Sequence, residues 1–493
     1  MTTIDVNKLE AKIEAVLQSW KVPGGAVSIV KDGEILSARG YGSKNAETGE
    51  PVDADTVFCI GSNTKSFTAA GIAALVDDGK VAWSDPIRKH LPDFELRDPW
   101  VTEHITIRDM LSHRSGLGRS MRILYNHVFD LAEVVRRMRY MPFIAPFRDA
   151  FGYNNYHFMV AGRVIEAASG LTWPQFMKER IFAPLGMNRS GAVLAHLEGM
   201  DNISAAHDDI HDSPLPQETR IFTQDRVIPW SDVGNQPAGG IFSSANDLTH
   251  WMKMLLNGGL HEGEQFLSTK VITEMSTPVS TFKDPLESDL GFLAAMQPEI
   301  NFYTYGLGWF VLDFKGRKMF FHGGQIHGFN AMVVLFPQEK LGFTILTNAH
   351  HTFAHAALTF IISDAFLGGT PRAWNEEMLG MAAGMIQGAE AQVEERKNKR
   401  KADTQSSLPL SAYTGVYEND FVGRTKVGLK EGKLSMRYGT AFAGSLEHWE
   451  CDTFRAVWED RTFNPNWVEF EIADKGEVSA LTVSDEGLFK KIA

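Results

Sequence analysis

From Leu9 to Trp20 apolar residues return at helical spacing, which predicts an amphipathic helix. Residues 26–38 then read as two short strands around the Lys31-Asp32-Gly33 turn. Residues 66–77 are small or apolar almost throughout, the pattern of a helix packed on all sides. Between 105 and 260 helical patterns alternate with loops, and the Asp, Ser and Pro content of residues 208–217 predicts irregular structure there. Past Tyr305 the pattern changes to strands at 306–313, 317–322, 329–336 and 341–347, followed by a helix over 352–366. Strands at the start, helices in the middle and strands near the end predict an α+β fold in which N- and C-terminal strands meet in one sheet beside a helical lobe.

This first domain is expected to span residues 1–368. Residues 369–407 read as a helical linker, in which 376–401 is helix-prone and increasingly charged and finishes in Glu394-Glu395-Arg396-Lys397-Asn398-Lys399-Arg400-Lys401. Its basic run suits a solvated helix end favoured by the helix dipole better than an anion site. Residues 408–493 carry several short strand patterns separated by turns, which predicts a small β-barrel or sandwich.

Composition narrows the function. The 493 residues suit roughly two to four domains. A net charge of −13 provides no global basic field, so neither nucleic acid nor a membrane is expected as a partner. Only Cys59 and Cys451 occur, too few for a disulfide framework or an all-cysteine zinc site. The N-terminus lacks a basic head with an apolar run behind it, and no run of about 18 apolar residues follows; a cytoplasmic location is expected.

Hydrolysing an ester or amide through a covalent intermediate needs a nucleophile, a nearby base and donors aimed at the developing oxyanion. Ser62-Asn63-Thr64-Lys65 sets a hydroxyl and an amine three residues apart, on one face if a helix starts there, where the helix N-terminus also helps lower the pKa of Lys65. The same spacing at Ser280 and Lys283 lies between prolines and is discounted. Tyr153-Asn154-Asn155 precedes an apolar helix over 159–168 and is expected in a loop facing a cleft, its phenol relaying protons and Asn155 holding a substrate carbonyl or Lys65. The Tyr417 and Asn419 copy reads as a strand end. His322-Gly323-Gly324 ends a predicted strand, and its glycines permit close backbone approach to a ligand. His261-Glu262-Gly263 shares the spelling but falls in a turn.

Taken in order, these three elements resemble the penicillin-recognising serine hydrolase superfamily, and within it the class C β-lactamase-like esterases and D-aminopeptidases. The resemblance extends over residues 10 to about 350 and includes Ile105-Thr-Ile-Arg-Asp-Met-Leu-Ser-His113-Arg-Ser-Gly116-Leu, Pro184-Leu-Gly-Met187, Pro237-Ala-Gly-Gly240, Tyr305-Gly-Leu-Gly-Trp309 and Leu346-Thr-Asn348. The C-terminal segment, with His448-Trp449 and Asp452-Thr-Phe454, resembles the lipocalin-like barrel that some of these enzymes carry. The resemblance implies an antiparallel sheet flanked by helices, with Ser62 attacking the carbonyl and Lys65 and Tyr153 sharing the base role. It further implies that Tyr153 protonates the leaving group and that the backbone N–H groups of Ser62 and Gln325 form the oxyanion hole. Asn155, His322, Gly323 and Gly324 become substrate-binding positions. No metal and no cofactor are expected, and the partner is a small-molecule or short-peptide substrate, with a homo-oligomer left open. His322 stands where lactamases keep a lysine for the substrate carboxylate, so lactams fit less well than esters, D-amino-acid amides or short peptides. Acyl transfer or peptide cyclisation from the same acyl-enzyme, and a catalytically silent scaffold, are the alternatives.

Other histidines receive plainer readings. Residues 207–212, with His207, Asp208 and His211, carry metal-ligand side chains, but a solvated loop is expected there over a metal site. His350, His351 and His355 read as capping and surface positions, and His113 as a structural histidine. Phe143, Phe147, Phe151, Tyr153 and Tyr156 read mostly as core, with one or two reaching the cleft.

Overall fold

A computed structural model describes residues 4–118, 128–208, 226–230, 237–282, 299–370, 372–439 and 441–492. The first helix, α1 (Val6–Ser19), starts where the Asp5 carboxylate accepts from the Lys8 N–H, and it buries Leu9, Ile13, Val16 and Leu17 along one stripe. The chain then forms a hairpin of β1 (Gly24–Lys31) and β2 (Glu34–Gly42). Asp32 and Gly33 both take positive φ at its turn, matching the right-handed twist of the paired strands.

Six further strands complete one sheet: β3 (Ser280–Thr281), β4 (Tyr303–Tyr305), β5 (Phe310–Phe314), β6 (Arg317–Ile326), β7 (Phe329–Phe336) and β8 (Leu341–Thr347). The order is β2-β1-β8-β7-β6-β5-β4-β3, with every neighbouring pair antiparallel. Pairing of β1 with β8, from Gly25 opposite Thr347 to Lys31 opposite Leu341, brings the two ends of the domain together. Alternation along β7 divides the core in two. Ala331, Val333 and Leu335 pack with α2 (Thr64–Asp77), α3 (Asn155–Ser169) and α4 (Ala245–Leu256). Met332, Val334 and Phe336 pack with α1, α5 (Ala354–Leu367) and the first turns of α6 (Trp374–Lys399).

Three boundaries differ from the sequence pattern. The strand expected over 306–313 is broken before Phe310, because Gly308 takes φ +79 and packs where a Cβ would stand 2.8 Å from the Ala69 Cβ and 2.9 Å from the Lys65 carbonyl oxygen. Strand β6 continues through His322-Gly323-Gly324 to Ile326 instead of stopping there. Helix α3 begins at Asn155, so that residue belongs to a helix and not to a loop. Most of the irregular stretch expected at 208–217 lies outside the described residues.

Beyond α6, eight strands from Gly415–Asn419 to Gly487–Lys491 run in simple meander order and close into a barrel, the first pairing with the last through Tyr417 and Lys491. The two options left open by the strand pattern thus resolve to a barrel. Its interior is filled by Tyr417, Met436, Trp458, Phe470 and Phe489 among others. The basic run at the end of α6 is exposed, as the solvated helix end of the sequence reading requires, and its Arg396 and Arg400 guanidinium groups also lie over the rings of Trp467 and Trp449 at 4.1 and 4.7 Å, tying the helix to the barrel. No helix among the described residues is long and apolar enough to cross a membrane.

Candidate active site

Ser62 stands in a single 3-10 turn, Gly61–Asn63, that feeds directly into α2. Gly61 takes φ +50, and a Cβ on it would stand 2.8 Å from the backbone nitrogen of Gln325. Gly324 is packed as tightly from the other side, since a Cβ there would fall 1.9 Å from the Ile60 carbonyl oxygen. Strand β5 covers β6 only as far as Phe321, paired with Phe310, and the Gly61 turn occupies the edge of β6 beyond it. The two glycines thereby bring the backbone of Ser62 beside that of Gln325.

Lys65 is fully buried in the first turn of α2, on the same face as Ser62. Its ammonium donates to Ser62 Oγ at 2.9 Å and to the Ala238 carbonyl at 2.8 Å, and lies 4.8 Å from the centre of the Tyr153 ring. The segment supplying Ala238 is pinned along α2, where Thr68 Oγ1 donates to the Pro237 carbonyl and the Ile241 N–H donates to Thr64 Oγ1. The Pro237-Ala-Gly-Gly240 motif thus serves as the wall that aims the lysine.

Tyr153, half-buried, precedes Asn154, whose side chain caps α3 by accepting from the Tyr156 N–H while its amide donates to the Gly118 carbonyl at 2.7 Å. Behind this turn His113 accepts the Asn154 N–H at Nδ1, 3.1 Å, and meets His157 Nδ1 at 3.0 Å. His157 therefore donates from Nδ1, leaving Nε2 to accept from the Ser115 hydroxyl at 2.7 Å. His113 also sits against the Tyr153 ring, centroids 4.6 Å apart, so the structural histidine of the sequence reading braces the tyrosine. This His113-His157-Ser115 chain was not visible as a unit in sequence; only the His113 motif pointed to it.

His322 is 1% exposed. Its Nδ1–H donates to the Gly323 carbonyl, and its Nε2 accepts the Tyr305 hydroxyl at 3.0 Å. Burial, assisted by the charge of Lys65, pulls its pKa down to about 3, so the ring is neutral at physiological pH. It lies 6.3 Å from the Tyr153 ring, within an aromatic wall of Phe151, Phe282, Tyr305 and Phe310. Gly323 is half-buried and Gln325 exposed on the same strand. The structure thus gathers Ser62, Lys65, Tyr153 and the 322–325 strand around one centre, with Asn155 at the start of the neighbouring helix. Tyr156 is core, 1% exposed. Of the discounted copies, Ser280 donates its hydroxyl to the Ser112 carbonyl, His261 lies in a hairpin, and Tyr417 lies in the barrel interior.

Two histidine readings need correction. His207 and Asp208 are buried in a short strand, Ala206–Asp208, instead of lying in solvent, because that strand pairs with Arg226–Ile228 and is clamped to the end of β8. His350, His351 and His355 are likewise buried, at 6, 7 and 9% exposure, and the residue preceding α5 is Phe353.

Comparison with known proteins identifies the family and the fold. The beta-lactamase family profile matches residues 9–365, and a domain of unknown function, DUF3471, matches residues 399–492. The chain is 29% identical to the unguisins hydrolase ungD of Aspergillus violaceofuscus over 91% of this chain and 82% of that one. An octameric penicillin-binding protein homologue from Pyrococcus abyssi superposes with a TM-score of 0.62 at 24% identity, covering 99% of this chain and all of the other. The D-amino acid amidase of Ochrobactrum anthropi SV3, in complex with D-phenylalanine, superposes at 0.56 with 22% identity over 73% of this chain and all of its own. By the extent of the profile match and a fold shared end to end, this chain belongs to the beta-lactamase family and is a hydrolase of that family.

Proposed function

We propose that the chain is a serine hydrolase that cleaves a D-amino-acid amide, short peptide or small ester through an acyl-Ser62 intermediate. The observation carrying this reading is the 2.9 Å contact of the buried Lys65 ammonium with Ser62 Oγ, facing a backbone edge at Gln325. With one member of the Lys65 and Tyr153 pair deprotonated, as phenolate or free amine, Ser62 Oγ attacks the carbonyl carbon as its proton passes to that member, and the carbonyl oxygen takes up the electron pair. The N–H groups of Ser62 and Gln325 receive that oxyanion. Collapse of the tetrahedral intermediate expels an amine or alcohol protonated through Tyr153, and water then repeats the sequence on the acyl-enzyme. Asn155, Gly323 and Gly324 border the substrate.

The neutral His322 supports a substrate without a carboxylate at that position, since an uncharged imidazole bonded to Tyr305 offers an anion no ion pair. The aromatic wall supports an apolar acyl side chain. The name of one similar protein, an amidase of D-amino acids, agrees with an amide substrate, and that of another, a hydrolase of unguisins, agrees with hydrolysis. We place the hydrolase unit in residues 1–368, with 369–407 as connector and the 408–493 barrel, of lipocalin-like type, as a cover over the helical side of the site. The tests are product analysis with D- and L-amino-acid p-nitroanilides and p-nitrophenyl esters, with and without an added amine. Free acid as the sole product supports hydrolysis, whereas an amine adduct at comparable yield favours acyl transfer. No product from any acyl donor contradicts the proposal.

A further inference from the structure

The corrected histidines converge on one place. Among the described residues, Asp208, His350 and His351 each offer one ligand atom, and these atoms lie within 4.8 Å of one another. All three residues are buried, Asp208 completely. His350 Nδ1 lies 2.8 Å from Asp208 Oδ2, and the His350 and His351 rings stack with centroids 3.8 Å apart. In sequence they fall in two separate segments, each with ligand-type side chains and each read as surface, and nothing local joins the two.

We propose that Asp208, His350 and His351 form a binding site for a first-row divalent metal ion, zinc fitting best. One carboxylate and two imidazoles form a donor set that such ions favour, and these three ligands among the described residues leave a fourth tetrahedral position for a further ligand or water. Metal bonds of about 2.0–2.2 Å put tetrahedral ligand atoms about 3.3 Å apart. The Asp208–His350 pair need open only slightly to reach that spacing, and the longer edges, all within 4.8 Å, need close by about 1.5 Å or less.

The backbone around the cluster is already set. His207 Nδ1 donates to the Asn348 carbonyl at 2.9 Å, while its Nε2 accepts the Ala46 N–H at 3.0 Å. The His350 N–H donates to the His207 carbonyl, locking the strand that carries Asp208 to the segment that carries both histidines. Asn330 and Gln325 donate side-chain amides to the His350 carbonyl. Such outer contacts orient metal ligands and set affinity. His327 borders the group, its ring 5.1 Å from that of His350, and reaches the barrel through Phe463. Because Gln325 also presents the backbone edge beside Ser62, a metal here stiffens the strand end that borders the catalytic serine.

The site is tested by treating the full chain with a chelator, exchanging it into metal-free buffer, and titrating it with Zn2+ and separately Co2+. Calorimetry is expected to show one ion per chain, and bound Co2+ the visible absorption of a tetrahedral site. Asp208→Asn and His351→Gln are each expected to weaken Zn2+ binding by more than about tenfold, while His261→Gln leaves it unchanged. Crystals soaked in Zn2+ need no variant, and an anomalous peak between the three side chains supports the site. An absence of binding in the parent, affinities equal to the parent in both variants, or a peak elsewhere overturns it.

Discussion

At the scale of single residues, the site works by placing one amine where burial and fixed acceptors leave it few orientations. Lys65 is held by Ser62 Oγ and the Ala238 carbonyl against the Tyr153 ring. Lys65→Met, close in volume, is expected to lower kcat by a factor of about 100 to 10,000 while the thermal transition is kept, as checked by steady-state kinetics and calorimetry. His322 yields a contrasting prediction. Its ring is neutral above about pH 4, because burial and the Lys65 charge hold its pKa near 3. His322→Gln is therefore expected to shift KM while leaving the shape of the kcat profile between pH 5 and 9 unchanged. Loss of a limb of that profile in the variant would show that His322 titrates in turnover.

At the scale of elements, the close approach of β6 to the turn before α2 sets the spacing of Ser62 and Gln325. Gly324→Ala is expected to cost about 1–3 kcal/mol of stability through overpacking against Ile60 and, by parting the two backbones, to lower kcat by a factor of about 100 or more. A melt and a kinetic assay together check this, and parent-like turnover would mean that the strand edge takes no part. Ser62 and Lys65 were legible in sequence because a spacing of three at a helix start is local information. The continuation of β6 through two glycines was not, since a Gly pair reads as a turn unless the partner that fills the space is known. The Asp208–His350 contact, between residues 142 apart, was invisible for the same reason: each half resembles an ordinary polar segment until the fold joins them.

At the scale of the whole molecule, the barrel reaches the beta-lactamase-family domain at the start of α3, beside the candidate site. Arg137 donates to the Asp420 and Phe421 carbonyls, and the Phe421 ring packs edge-on against Tyr156, one residue from Asn155. Phe421→Ala is expected to raise KM for peptide substrates more than for small esters, measured as the ratio of the two KM values; an unchanged ratio would remove the barrel from substrate selection. Buried histidines give the molecule an acid limit. His157 and His322 fall to about 3, chiefly through burial, from an ordinary value of 6.5. Between those values the unfolded chain binds protons that the folded chain refuses, so stability falls with pH by about 1.4 kcal/mol per pH unit for each ring. Asp247, raised by burial to about 6, acts oppositely between 3.8 and 6 and offsets one ring there. Melting temperatures are thus expected to fall from about pH 6.5 to about pH 3, most steeply below about pH 4. The central claim, that Ser62 is the nucleophile of an acyl-enzyme, is tested most directly by intact-mass spectrometry of the parent and Ser62→Ala after brief exposure to p-nitrophenyl acyl esters and D-amino-acid p-nitroanilides. The account predicts an acyl adduct or turnover in the parent that is absent from the variant; the same adduct mass or equal turnover in both would contradict it.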